Sequence, residues 1–96
     1  MTTQALQDHI LFQTGYLVNG IWKTLDTTFD VLNPATGEVI AKVAKAGKAQ
    51  TEEAIAAATK AFPAWRAKTA KERSAILYRW YELIIENKSW LGQLMT

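Results

Sequence analysis

Two pairs of carboxylates, one histidine and four tryptophans are the side chains from which this 96-residue sequence would have to build any chemistry. Glu52 and Glu53 are consecutive, so on a helix they point to different sides and cannot share a proton or a metal. Glu82 and Glu86 stand four apart on one helical face, but that face is polar, and contact with Arg79 and water accounts for them better than acid–base work. His9 lies in a polar N-terminal stretch and makes a poor base or ligand. The absence of cysteine excludes disulfides, thiolate metal sites and a cysteine nucleophile within these residues. The five glycines, at positions 15, 20, 37, 47 and 92, are scattered at turns or helix positions and form no phosphate-cradling loop. Trp22, Trp65 and Trp80 read as packing anchors, since an aromatic ring buries a large apolar area; Trp90 is placed where it could cap a surface groove.

Positioning elements must therefore explain most of the chain. A hydrophobic fraction of 49% and a charged fraction of 21% belong to an ordinary globular sequence. No apolar run approaches the roughly 20 residues that cross a bilayer, so no membrane partner is expected. Met1 to Gln13 lacks the basic cluster and apolar core of a secretory signal, which makes the cytoplasm the expected compartment. The net charge of +2 is uneven: residues 1–40 hold one lysine against four carboxylates, residues 41–96 ten basic against five acidic groups. A basic bias can mark a nucleic-acid surface, yet here Glu52, Glu53, Glu72, Glu82 and Glu86 are interspersed, as on solvated helix faces. No nucleic-acid partner is expected.

Residues 1–14 show no clear period and read as a mobile arm, with at most a helical turn around Leu6 to Phe12. Residues 15–96 form the ordered part. Tyr16-Leu17-Val18 and Ile21-Trp22-Lys23 flank Asn19-Gly20, a dipeptide that tolerates positive φ at both central positions of a hairpin turn. A third strand is expected over Phe29 to Leu32 and a fourth over Val39 to Ala44. Between them Pro34 pushes Asn33 toward an extended conformation and Gly37 supplies the turn. Gln50 to Phe62 has helical spacing, with Glu52 and Glu53 in its first turn and Pro63 ending or tightening it. Thr69-Ala70-Lys71-Glu72 is a capping box opening a second helix. Ile76, Leu77, Trp80, Leu83 and Ile84 give that helix a broad apolar stripe. Asn87 reads as a left-handed terminator and Ser89 as the cap of a third helix starting at Trp90. Leu91, Leu94 and Met95 continue an apolar stripe up to Thr96 with no terminator, as expected of a truncated element.

The order of these pieces resembles a known family. Tyr16 to Trp22 looks like the first hairpin of the aldehyde dehydrogenase superfamily, and Phe29-Asp30-Val31-Leu32-Asn33-Pro34-Ala35-Thr36-Gly37-Glu38-Val39-Ile40 resembles its next strand, Asn-Pro turn and following strand. Ala54-Ile55, Ala58, Ala61-Phe62 and Trp65 match the family's first long helix; Thr69 to Arg73, Ile76-Leu77 and Leu83-Ile84 match the second. The resemblance spans residues 12 to 96. Phe62-Pro63-Ala64-Trp65-Arg66-Ala67 and the capping box look most like bacterial succinate-semialdehyde dehydrogenases, with enzymes acting on betaine aldehyde or glutarate semialdehyde close by.

The resemblance implies an α/β parent fold, of which this segment would be the N-terminal portion of the NAD(P)-binding domain. It implies a homo-oligomeric enzyme about five times this length, in which a thiolate attacks the aldehyde, hydride passes to NAD or NADP, and water activated by a glutamate releases the acid. None of those catalytic or cofactor-binding groups maps onto these residues, so the segment by itself is expected to be inactive and to bind no cofactor. Its natural partner would be the remainder of the chain. Several family members hold a structural monovalent cation through backbone carbonyls just before the Asn-Pro turn. Here those positions are Val31 and Leu32, with further ligands expected beyond Thr96. A small interaction module from a truncated gene is the competing reading.

Overall fold

The computed structural model describes residues 2–96, which divide into two compact units, residues 2–60 and residues 61–96. The first unit opens with a short helix, α1 (Thr3–Gln7), capped by the Thr2 hydroxyl, which accepts from the Ala5 amide at 3.1 Å. This turn lies earlier than the expected one at Leu6 to Phe12, because the Thr2 cap supplies a start signal that the apolar residues alone do not. Leu6 is buried on it, and the Gln7 side chain donates to the Ile40 carbonyl.

Two antiparallel hairpins follow. β1 (Tyr16–Val18) pairs with β2 (Ile21–Lys23), placing Tyr16 opposite Lys23 and Leu17 opposite Trp22. Asn19 at φ 53° and Gly20 at φ 74° turn between them, the two positive values that a right-twisted two-residue hairpin demands. β3 (Thr28–Leu32) pairs with β4 (Val39–Ala44), with a break in register between Val31 and Leu32. The intervening turn is knit by Asn33. Its side-chain oxygen accepts from the Ala35 amide at 2.9 Å, its carbonyl accepts from Gly37 at 2.7 Å, and its amide donates to Glu38 at 2.8 Å. All four expected strands are present.

α2 (Lys48–Ala67) begins two residues earlier than the periodicity indicates, since the Gln50 side chain reaches back to accept from the Gly47 amide at 2.7 Å. Glu52 and Glu53 consequently sit beyond the first turn rather than in it. Pro63 does not end the helix. Its missing amide leaves the Thr59 carbonyl without a donor, but Thr59 is exposed and water can take that role.

The second unit contains the end of α2, then α3 (Ala70–Glu86) and α4 (Lys88–Met95). The capping box of α3 is complete: the Glu72 amide donates to the Thr69 hydroxyl at 3.2 Å, and the Thr69 amide donates to the Glu72 carboxylate at 3.0 Å. Asn87 ends α3 without a left-handed turn, at φ −104°. Its side-chain amide donates to the Leu83 carbonyl at 2.9 Å, satisfying by a side chain what a Schellman turn would satisfy by backbone. α4 therefore starts at Lys88, with Asn87 rather than Ser89 at its cap position.

Burial is sparse. Among the described residues Leu6, Val18 and Trp90 are the buried apolar side chains. Trp90 is thus an anchor rather than a groove cap, whereas Trp22 and Trp80 are half or more exposed.

Candidate functional site

The first cluster with chemical potential joins three elements of the first unit. Tyr16 and Lys23 are cross-strand partners on the β1–β2 hairpin. Both reach Glu53 on α2: the Lys23 ammonium donates to one carboxylate oxygen, and the Tyr16 hydroxyl donates to the other at 3.3 Å. The hydrogen bond from Lys23, ahead of its charge, holds the Glu53 carboxyl below the usual carboxylate range, and the same bond raises the Lys23 ammonium above its usual value. A carboxylate held ionised by a fixed cation is a weak base, and the lysine is a weak nucleophile for the mirrored reason. The cluster fastens the hairpin to the helix and does no acid–base work. Its signal in the sequence was the Asn-Gly turn, which puts Tyr16 and Lys23 on the same face of the hairpin.

The second cluster is the end of the β3–β4 hairpin. Val31 lies opposite Ala41 and Leu32 opposite Val39, so Ile40 is the extra residue of a bulge. A bulge interrupts the ladder locally and changes where carbonyls point. The two positions singled out for a cation, Val31 and Leu32, therefore flank the one irregular point of this hairpin. Nearby, Asp30 is paired with Lys42 at 2.8 Å. Among the described residues no group of three or more His, Cys, Asp or Glu side chains could hold a metal ion.

The remaining candidates take structural partners. His9 accepts the Leu11 amide on Nδ1 at 3.1 Å. Glu86 pairs with Arg79 at 3.4 Å, two turns away on α3. Glu52 lies 3.9 Å from Lys48. The Glu72 carboxyl is held below its usual range, first by the Thr69 backbone amide it accepts. No described helix is long and apolar enough to cross a membrane.

With no reacting constellation assembled, likeness to known proteins decides the chain's affiliation. Residues 22–96 match the model of the aldehyde dehydrogenase family. The chain belongs to the aldehyde dehydrogenase family. It is 57% identical over 93 residues to glutarate-semialdehyde dehydrogenase of Pseudomonas putida, covering 95% of this chain and 19% of that protein. It is 45% identical, with the same coverage, to the NADP-dependent succinate-semialdehyde dehydrogenase of Escherichia coli. Among solved structures, an NADP-dependent enzyme of E. coli superposes with a TM-score of 0.86 at 45% identity, over 90% of this chain and 18% of that one. Succinate-semialdehyde dehydrogenase of Burkholderia pseudomallei does so at 0.74 and 49% identity, over 80% of this chain and 16% of that one. The chain thus spans about a fifth of the length of the relatives it matches. Its hairpins and helices are a part of the family's architecture of mixed strands and helices.

Proposed function

We propose that this chain is the N-terminal part of the cofactor-binding domain of an NAD(P)-dependent semialdehyde dehydrogenase, residues 15–96 forming that part and residues 1–14 an arm before it. The complete enzyme would oxidise an aldehyde that carries a carboxylate at its far end, succinate semialdehyde to succinate in the first instance. The observation that carries this reading is the 45–57% identity over 93 residues to dehydrogenases of two such aldehydes.

In that reaction the aldehyde carbon is oxidised by two electrons, hydride leaves to the nicotinamide, and water supplies the oxygen of the acid. The nucleophilic thiolate, the base and the phosphate-binding loop would all belong to other parts of the polypeptide, because these residues hold neither a cysteine nor a glycine-rich loop. What this segment contributes is support: two hairpins and two long helices against which the cofactor-binding part is built. NAD or NADP would be the cofactor of the whole enzyme, a homo-oligomer of the cytoplasm.

Glutarate semialdehyde is the specific second reading, favoured by the 57% and 53% identities to the two Pseudomonas enzymes named for it. The two substrates differ by one methylene, which a hydrophobic pocket resolves by about 10- to 200-fold. Reading the gene beyond the codon for Thr96 and assaying the complete product on aldehydes of two to six carbons tests both. A kcat/KM highest for the four- or five-carbon semialdehyde supports the reading, and a preference for aldehydes without a distal carboxylate contradicts it.

The carbonyls of Val31 and Leu32 are proposed as two ligands of a monovalent cation in the complete enzyme, the remaining oxygens coming from elsewhere in the chain. Thermal unfolding of that enzyme in sodium or potassium chloride, against choline chloride at equal ionic strength, tests this. A Tm independent of the cation would remove the site.

A further inference from the structure

The apolar surface of α3 is too wide for one neighbour. Successive helical residues are about 100° apart around the axis. On that wheel Ile76, Trp80, Leu83 and Ile84 form one face, and Leu77, Tyr78, Tyr81 and Ile85 continue it around the helix. Together they sweep roughly 220°, about twice the stripe by which a surface helix meets one core. Lys71, Arg79, Glu82 and Glu86 are confined to the strip that remains. All eight apolar or aromatic residues are exposed, from 42% at Leu83 to 62% at Tyr78 and Trp80. Their exposed side-chain surface is on the order of 900 Å², beyond the roughly 300–600 Å² of the largest patch on an ordinary monomer and close to one side of a standard protein interface.

What covers so much surface is indicated by chain length. The structural neighbour with a TM-score of 0.86 matches nine-tenths of this chain, yet the matched part is only 18% of that neighbour. Some four-fifths of a parent polypeptide would lie outside these residues.

We propose that α3 is an interior helix, held between two separate surfaces of the remaining aldehyde dehydrogenase polypeptide. One surface covers Ile76, Trp80, Leu83 and Ile84; the other covers Leu77, Tyr78, Tyr81 and Ile85. This rests on the reading of the chain as one part of a longer enzyme, and it adds which residues dock and from how many sides. Only the strip of Lys71, Arg79, Glu82 and Glu86 stays in water. A charge introduced on either face would be buried without a partner, the costliest kind of single substitution.

The test is a chimera in which this chain replaces the matching segment of the E. coli succinate-semialdehyde dehydrogenase, with that enzyme's own activity as the readout. The substrate of the present chain's parent does not enter, so failure of the substrate reading and failure of this inference remain distinguishable. Trp80→Asp on the first face and Tyr78→Asp on the second should each lower the yield of soluble, active chimera more than tenfold. Glu82→Lys on the strip should leave it within twofold. If Tyr78→Asp behaves like Glu82→Lys, the helix is covered from one side only and the inference fails. It fails equally if no active chimera forms with either the E. coli or the P. putida remainder, because the docking surfaces then do not match.

Discussion

Residues 2–60 and residues 61–96 are stabilised in different ways. The first unit is laced by polar contacts between elements distant in sequence: Gln7 to Ile40, Thr14 to Ala44, Thr27 to Lys45, and Tyr16 and Lys23 to Glu53. Three-residue strands bury too little to hold themselves, and these contacts set their mutual register. In the second unit the hydrogen bonds that define the helices are local. The capping box starts α3, Asn87 stops it, and Arg79 meets Glu86 along it. Its apolar side chains meanwhile point outward. Local signals thus decide where a helix begins and ends, but what the helix is for is written in the face it leaves uncovered.

The sharpest way to break the first unit is at Gly15. A Cβ built there would lie 2.1 Å from the Lys23 carbonyl oxygen, which is main chain and cannot rotate away. Gly15→Ala should therefore cost about 1–3 kcal/mol, as overpacking does, seen as faster amide exchange throughout the β1–β2 hairpin. Unchanged protection would mean the strand before β1 runs elsewhere. Nearly as large is Thr69→Ala in the second unit, expected to cost about 0.5–2 kcal/mol through the lost cap. It should speed exchange in the first turn of α3 and leave the hairpins alone. An equal effect in both units would erase the contrast drawn between them.

Smaller still is the strain at Gly37, where φ is 76° with open space around the Cβ position. Gly37→Ala should cost about 1 kcal/mol from backbone conformation alone, whereas Gly37→Asn should cost less. The smallest effect is that of pH on the clasp between hairpin and α2. Glu53 titrates below its usual range, so its contribution is present above the ordinary carboxylate pKa and is lost as pH falls through the depressed value. Lys23 titrates above its usual range, so its share is present below the ordinary lysine pKa and is lost as pH rises through the raised value. The clasp should hold from roughly pH 4 to pH 10. Glu53→Gln should flatten the acid limb of hairpin exchange without touching α3, and an acid limb that persists would locate the titration in another group.

Much of this organisation was legible in the residues. Asn19-Gly20, the Asn33–Gly37 turn and the Thr69–Glu72 box are local chemistry, and each element they announce is present. The errors have a common origin in side chains reaching back or across. Gln50 moved the start of α2, Asn87 replaced a left-handed turn, and Thr2 started a helix in an arm with little periodicity. Pro63 was misjudged because its cost depends on whether water can reach the Thr59 carbonyl, which no spacing reveals. The Glu53 clasp was hidden for a different reason: it joins residues 30 or more apart. The candidate cation positions, Val31 and Leu32, came from family likeness rather than from local pattern, since backbone carbonyls leave no trace in residue type.

The central claim is that residues 61–96 present surfaces meant for the rest of a larger enzyme. Sedimentation velocity of the 96-residue chain across a hundredfold range of concentration, with amide exchange on the same samples, tests it most directly. The account predicts concentration-dependent association, with α3 amides exchanging far faster than global unfolding would allow. A monodisperse monomer that unfolds cooperatively, with α3 and α4 amides opening only in that transition, would contradict it and favour a self-sufficient interaction module.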